Sequence, residues 1–159
     1  MEKLFSGCFL TSSSSKELLA LAGKSGVIRL IDCSTGTEHG EMVGHSRSVN
    51  ELSVHPSRRH VVASSSNDMT VRIWDSNSRL CLAILGGIHC HRSAALSVSW
   101  KHDGKQLVSG GFDKLALVFN VPEGLDQRIH GPSLKPLQIA KLNELDDDDA
   151  QQEDQTDGT

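Results

Sequence analysis

Tyrosine is absent from this 159-residue chain, and Phe and Trp together supply only 4% of it. Hydrophobic residues still reach 37%, so a core is expected, built mostly from aliphatic side chains. Apolar runs stop at about six residues, far short of the ~18 that a membrane-spanning helix takes, and no membrane role is expected. Leu4 to Leu10 is too short and wrongly flanked for a secretory h-region. The four cysteines, Cys8, Cys33, Cys81 and Cys90, include no C-x-x-C pair. They lie in or beside strand-like apolar runs, where a free thiol packs as a small hydrophobe. A reducing compartment, nuclear or else cytosolic, is the expectation that follows. The glycine-rich phosphate loops of nucleotide-binding proteins and the His-Glu-x-x-His pattern of metallohydrolases are missing too, which leaves no signal for a cofactor.

The net charge of −4 is unevenly placed. Residues 144–159 hold eight acids and no Lys or Arg, whereas residues 1–143 set sixteen basic side chains against twelve acidic ones, for +4. Asp146-Asp-Asp-Asp149 and the Gln/Glu/Asp-rich stretch after it have no apolar periodicity. A disordered, solvated segment is expected there, of a kind that can also shield a basic surface.

What the chain does have is internal repetition. Val62-Ala-Ser-Ser-Ser-Asn-Asp-Met-Thr-Val-Arg-Ile-Trp-Asp75 recurs 45 residues later as Leu107-Val-Ser-Gly-Gly-Phe-Asp-Lys-Leu-Ala-Leu-Val-Phe-Asn120. A fainter copy, Leu19 to Asp32, ends 43 residues before Asp75. A period of about 40–45 residues closing on Trp-Asp is the mark of a β-propeller blade. Each copy reads as short β-branched or aliphatic strands separated by Gly, Pro, Asn, Asp and Ser. The strands expected are Lys3 to Leu10, Leu18 to Ala22, Val27 to Ile31 and Thr37 to Val43. The middle copy gives Val49 to His55, Val61 to Ser66, Thr70 to Trp74 and Leu80 to Leu85. The last gives Ala95 to Trp100, Gln106 to Ser109 and Leu115 to Phe119, with no obvious outer strand. The fold class expected is therefore all-β, a partial WD40 β-propeller of about three four-stranded antiparallel blades. The repeat region spans 1–121, with blades at about 1–43, 44–88 and 89–121. A turn-rich linker fills 122–143, in which Leu134 to Leu145 is ambiguous between helix and strand. The acidic tail occupies 144–159. A propeller takes typically four to eight blades; three leave two raw sheet faces, so the polypeptide by itself is expected to associate. It reads equally as a piece of a longer protein or a truncated copy without independent function.

A Gly-His dipeptide, Gly44-His45, precedes Trp74 with 28 residues between His and Trp. His91 precedes Phe119 with 27 between. In WD40 repeats a His, a strand Ser or Thr, a turn Asp and the Trp form a hydrogen-bonded network inside one blade, and by resemblance these are His45, Ser64, Asp68 and Trp74. The next blade offers His91, Ser109 and Asp113, but Phe119 has no N–H to donate. In the first copy Ser25 stands at the Asp position and no Gly-His precedes it. Ser64, His45 and Asp68 also make a Ser/His/Asp set. A hydrolase would need an exposed hydroxyl and oxyanion donors, and the sequence has no nucleophile elbow; a buried, satisfied polar network explains the same residues, so no catalytic residue and no enzyme is expected. His89-Cys90-His91 lacks zinc-ligand spacing, and adjacent residues on a strand point to opposite faces; no metal is expected. Arg58, Arg59, Arg79, Lys101 and Lys105 fall in loops at one end of the blades, where they either meet an acidic partner or are simply solvated.

Three stretches go beyond a generic repeat: Leu18 to Asp32, Val43-Gly-His-Ser-Arg-Ser-Val-Asn-Glu-Leu52, and Leu85-Gly-Gly-Ile-His-Cys-His-Arg92. In this order they resemble consecutive blades of the extra sex combs/embryonic ectoderm development family, over residues 2–121, roughly the second to fourth blades of a seven-bladed ring. The resemblance implies a non-catalytic scaffold of Polycomb repressive complex 2, nuclear and acting in transcriptional repression. It implies protein partners, a SET-domain histone methyltransferase on one face and a histone tail on the other, with no direct nucleic-acid contact. The family's trimethyl-lysine cage relies on aromatic quadrupoles; its aromatic before Val-Gly-His aligns with Met42, which is polarizable but no cation–π partner. Met42, Asn67, Phe112, Arg58 and Arg59 are the residues expected at partner surfaces. A general WD-repeat adaptor, in ubiquitin ligation or RNA–protein assembly, shares the fold without the chromatin link.

Overall fold

A computed structural model describes residues 2–122, Gly124, Leu125 and the backbone of 138–141. The described secondary structure is entirely β, arranged as three four-stranded antiparallel sheets. The first comprises β1 (Leu4–Thr11), β2 (Glu17–Gly23), β3 (Ile28–Asp32) and β4 (Glu38–Met42). The second comprises β5 (Val49–Val54), β6 (Val61–Ser66), β7 (Val71–Asp75) and β8 (Leu80–Leu85). The third comprises β9 (Ala95–Trp100), β10 (Gln106–Gly111), β11 (Leu115–Asn120) and β12 (Gln138–Lys141). β12 pairs with β11 from Leu115↔Lys141 to Val118↔Gln138. The third sheet thus draws its outer strand from inside the segment that reads as linker. The acidic segment 144–159 lies outside the described residues.

Each sheet is a simple meander, so its first and third turns lie at one end. Its second turn and the links between sheets lie at the other, here called the link end. Local chemistry fixes these turns. Asp32 accepts from the backbone N–H groups of Ser34 and Thr35, and Asp75 accepts from those of Asn77 and Ser78. The Asp that closes each of the first two repeats is therefore the first residue of an Asx-turn that starts the outer strand. The second turns share a left-handed residue at the equivalent place, Gly26, Met69 and Lys114, with φ of 81°, 70° and 61°. Only the first of these is glycine, the residue that adopts φ > 0 without strain.

Strand alternation sends side chains to both faces of a sheet, and the middle sheet is covered on both. Every residue of β6 is buried as a result. Val62 and Trp74 pack with Leu18, Ile28, Leu30 and Met42 of the first sheet. Val61, Ala63, Val71 and Ile73 pack with Val98, Leu107, Leu117 and Phe119 of the third. The inner strands β1, β5 and β9 lie side by side.

β5 joins the sheets by hydrogen bonds as well as packing. The backbone N–H of Leu52 donates to Ser6 Oγ at 3.0 Å, Asn50 Nδ2 donates to the Ala95 carbonyl at 2.8 Å, and the N–H of Val98 donates to Glu51 Oε2 at 2.8 Å. Trp100 Nε1 donates to the Ser53 carbonyl at 3.1 Å, and its ring lies 4.8 Å from that of His55. The Val49-Asn-Glu-Leu52 motif is thus a junction between blades.

The two outer faces are less well covered. On β1, Phe5 is 50% and Phe9 62% exposed, with the register shifting by a bulge between Leu4 and Ser6. Leu21 and Ile31, at the places of Ser64 and Trp74, are half-buried on the same sheet. The third sheet exposes Val108 at 41%. The polypeptide of residues 1–159 is expected to self-associate through these faces. Sedimentation velocity on the Phe5→Thr/Phe9→Thr variant should show the association weakened; an unchanged profile would assign it elsewhere.

Candidate functional site

At the link end of the middle sheet, four side chains from separate segments meet. His45 comes from the link between β4 and β5, Ser64 from β6, Asp68 from the turn after β6, and Trp74 from β7. Trp74 Nε1 donates to Ser64 Oγ at 2.8 Å. Ser64 Oγ lies 2.7 Å from His45 Nε2, and His45 Nδ1 lies 2.8 Å from Asp68 Oδ2. Asp68 also accepts from the backbone N–H of Ser46 at 3.1 Å and of Thr70 at 3.0 Å, and from the Thr70 hydroxyl at 2.6 Å. One proton assignment satisfies the whole set. The indole can only donate, so the serine hydroxyl gives its proton to Nε2, and Nδ1–H donates to the carboxylate. Burial pushes the Asp68 carboxyl up, but the hydrogen bonds from His45 and Thr70 outweigh it and hold the group well below the ordinary carboxylate range.

Close packing fixes the entry of the chain. A Cβ on Gly44 would stand 2.6 Å from Arg72 Nη1 and 3.0 Å from Trp74 Cη2, so the Gly before His45 is a requirement of approach. The third sheet repeats the arrangement with His91 Nε2 2.8 Å from Ser109 Oγ and His91 Nδ1 3.0 Å from Asp113 Oδ1. Asp113 also accepts from the N–H groups of Arg92 and Leu115. Phe119 faces Leu107 across the ladder as Trp74 faces Val62. It fills the indole's space, fully buried, without supplying the proton. Leu115 stands where Thr70 does, so the Asp113 carboxylate gains no hydroxyl donor. In the first sheet Leu21 and Ile31 occupy the Ser and Trp places, half-buried and without a network.

The Ser64–His45–Asp68 distances match those of a nucleophile, base and orienting acid. Access does not: Ser64 is wholly buried, its hydroxyl faces His45, and its oxygen accepts from Trp74. No described residues form a group of three or more side chains able to hold a metal ion; Cys90 and His91 are buried while His89 is exposed.

The residues expected at partner surfaces are scattered. Met42 is corrected: it is fully buried, packed in the cluster that joins the first and second sheets, because its flexible apolar side chain fills the gap at the end of β4. Asn67 is half-buried and accepts from Asn50 Nδ2 at 2.9 Å, a tie within the structure. Phe112 is 74% exposed in the second turn of the third sheet. Arg58 and Arg59 lie at the opposite end. There Arg58 Nη2 is 3.1 Å from His55 Nε2, and the Arg59 carbonyl accepts from the N–H of Thr11. Sequence reasoning did not single out His55, and it quoted Asn50 and Glu51 as part of a family motif without a junction role. For the latter, two polar residues inside an apolar strand were the available signal.

Comparison with known proteins adds the family. The model of the WD domain, G-beta repeat matches residues 36–75 and 81–120. The chain belongs to the WD-repeat family. Each matched WD repeat begins at the outer strand of one sheet and runs through three strands of the next, so successive sheets share a sequence unit. The chain is 39% identical over 112 residues to Polycomb protein esc of Drosophila melanogaster, covering 69% of this chain and 26% of that protein. To Polycomb protein EED of Chaetomium thermophilum it is 30% identical over 119 residues, covering 72% and 21%. Among solved structures, one of ctPRC2 in complex with H3K27me3 and H3K27M superposes with a TM-score of 0.73 at 29% identity, over 77% of this chain and 26% of that one. This WD-repeat chain thus spans about a quarter of the length of the curated relatives it matches.

Two outcomes follow. His45→Ala should cost about 1–3 kcal/mol, the range for a buried polar group left without its partner. Trp74→Phe, which reproduces the Phe119 arrangement, should cost less; thermal melting that ranks them the other way would contradict the network. The second concerns acid. Burial, then the neighbouring Arg58 and His60 charges, hold the His55 imidazole below its ordinary value of 6.5. The unfolded chain therefore takes up that proton first, so the contribution of neutral His55 is present above its unfolded value and is lost as pH falls through its folded one. Melting from roughly pH 7 to pH 5 should show this loss, and His55→Asn should flatten it.

Proposed function

We propose that this chain is a non-catalytic WD-repeat scaffold of a Polycomb-type chromatin complex. In this reading it works in the nucleus with a SET-domain histone methyltransferase and a histone tail as protein partners. The observation that carries the reading is the 39% identity to Polycomb protein esc over 112 residues. The superposition on ctPRC2, whose solved complex holds H3K27me3 and H3K27M, points the same way. The burial of Ser64 supports a scaffold over a hydrolase, because no substrate carbonyl reaches its hydroxyl. Methyl-lysine reading is left out of the proposed role, since Met42 is buried where the resembling family carries an aromatic.

Affinity capture of the chain from nuclear extract, followed by mass spectrometry and a histone methyltransferase assay on the eluate, tests the reading. A SET-domain enzyme and its activity should be recovered. Recovery dominated by ubiquitin-ligase or RNA-processing subunits would instead favour a general adaptor and overturn the Polycomb assignment.

A further inference from the structure

The link end carries a cleft of about 520 Å³ between the three sheets, bounded by the exposed cations Lys24, Arg47 and Arg92. Each cation stands on pinned backbone. The N–H of Lys24 donates to the Lys3 carbonyl at 2.9 Å, the Arg47 carbonyl accepts from Ser66 Oγ at 3.3 Å, and the N–H of Arg92 donates to Asp113 at 2.7 Å. Among the described residues, no ion pair engages any of the three cations. The carboxylates of the neighbouring turns point into the blades instead. Asp68 accepts from His45 and Thr70, and Asp113 from His91 and Leu115. Glu2 accepts from the N–H of Ser25 and pairs with Arg29. These acids lower the positive potential of the cleft, but their oxygens already hold donors, so the three cations stay open to an outside partner.

The rest of the surface divides into donors and apolar side chains. Asn67 is held by two bonds: Oδ1 accepts from Asn50 Nδ2 at 2.9 Å, and Nδ2 donates to Ser48 Oγ at 3.4 Å. One amide proton of Asn67 and the hydroxyl proton of Ser48 are thereby left to donate into the cleft. Met69, 44% exposed, also lines it. Phe112, 74% exposed, stands beside it, because its N–H donates at 2.8 Å to the carbonyl of Ala94, a residue of the lining. Exposed Phe and Met side chains among arginines are the composition in which protein-binding surfaces are enriched.

We propose that this cleft binds an acidic segment of a partner protein, an extended peptide whose carboxylates face Lys24, Arg47 and Arg92 and whose apolar side chains pack on Met69 and Phe112. The cations come from three separate segments of chain. That suits successive carboxylates of an extended peptide, whose alternate side chains stand ~7 Å apart on one face. A nucleic-acid duplex would answer the charge and leave the two apolar side chains unused. Single exposed ion pairs contribute little; several carboxylates opposite three fixed cations act through their summed field, which salt screens. A histone tail is basic and is repelled here. The inference therefore concerns a partner other than the histone tail of the Polycomb reading and does not rest on that reading.

Fluorescence anisotropy on the full chain tests it, with a short dye-labelled peptide rich in glutamate and carrying leucines, its glutamine counterpart, and a dye-labelled DNA duplex. The glutamate peptide should bind, and the glutamine peptide should bind several-fold more weakly. Salt at about 1 M, where the Debye length is about 3 Å, should release most of the bound glutamate peptide. Arg47→Gln/Arg92→Gln should weaken its binding several-fold, and so should Phe112→Ser. Lys16→Gln/Lys101→Gln, which removes as much charge at the opposite end, should leave it unchanged. Carbodiimide coupling of the bound peptide to the unaltered chain should mark Lys24 ahead of Lys16 and Lys101, which reads the site even when a variant is poorly folded. Equal losses in the two double variants, coupling spread evenly over both ends, or no binding of the glutamate peptide at low salt would overturn the proposal. A duplex that binds more tightly than the peptide and is indifferent to Phe112→Ser would overturn it in favour of nucleic acid.

Discussion

A single hydroxyl, that of Ser64, holds together pieces of chain that strand pairing leaves unconnected. It receives the Trp74 indole proton and passes its own to His45, which in turn orients Asp68. Through that relay the link between the first and second sheets is tied to the interior of the second. The second turn is fixed as well, because Asp68 gathers Ser46 and Thr70 around it. Buried polar groups are costly when unpaired and specifying when fully paired, and this set is fully paired. That explains why four unlike residue types stand at these spacings in the middle blade, and why Gly44 must lack a side chain for the indole and Arg72 to approach.

The three sheets grade from one solution to another. The first closes its equivalent positions with Leu21 and Ile31, the second with the full relay, the third with His91, Ser109 and Asp113 around Phe119. A blade in this chain therefore forms with the full relay, with part of it, or without it. The junctions do not grade in this way. Among the described residues, β5 is hydrogen-bonded to both neighbours, through Asn50, Leu52, Ser53 and Glu51. The middle sheet is thus the keystone in a literal sense: it is buried on both faces and bonded on both sides.

Most strands were legible in the sequence because the signals agree: alternating aliphatic residues, Asp, Asn or Gly at each turn, and a repeat that reinforces each reading. Val61–Ser66, Leu80–Leu85 and Ala95–Trp100 stand where the pattern put them. The outer strand Gln138–Lys141 was not legible, since it lies beyond the repeat and four residues around Ile139 and Ala140 carry too little periodicity. The network residues were readable from Gly-His to Trp spacing. The blade junction at Asn50 and Glu51 was not, because its partners Ala95 and Val98 contribute backbone atoms, which leave no mark on composition. Met42 misled for a related reason: position in a motif says which strand end a residue occupies, and not whether its side chain turns inward.

The relay is the central claim, and a double-mutant cycle between His45→Ala and Trp74→Phe tests it most directly. Both residues hydrogen-bond to Ser64, and their rings also meet edge-on with centroids 5.8 Å apart. Their unfolding free energies should couple by about 0.5–3 kcal/mol, the range for members of one network, and the coupling should drop in a Ser64→Ala background, where only the ring contact is left. Losses that add to within a few tenths of a kcal/mol would show two independent packing residues and contradict the relay.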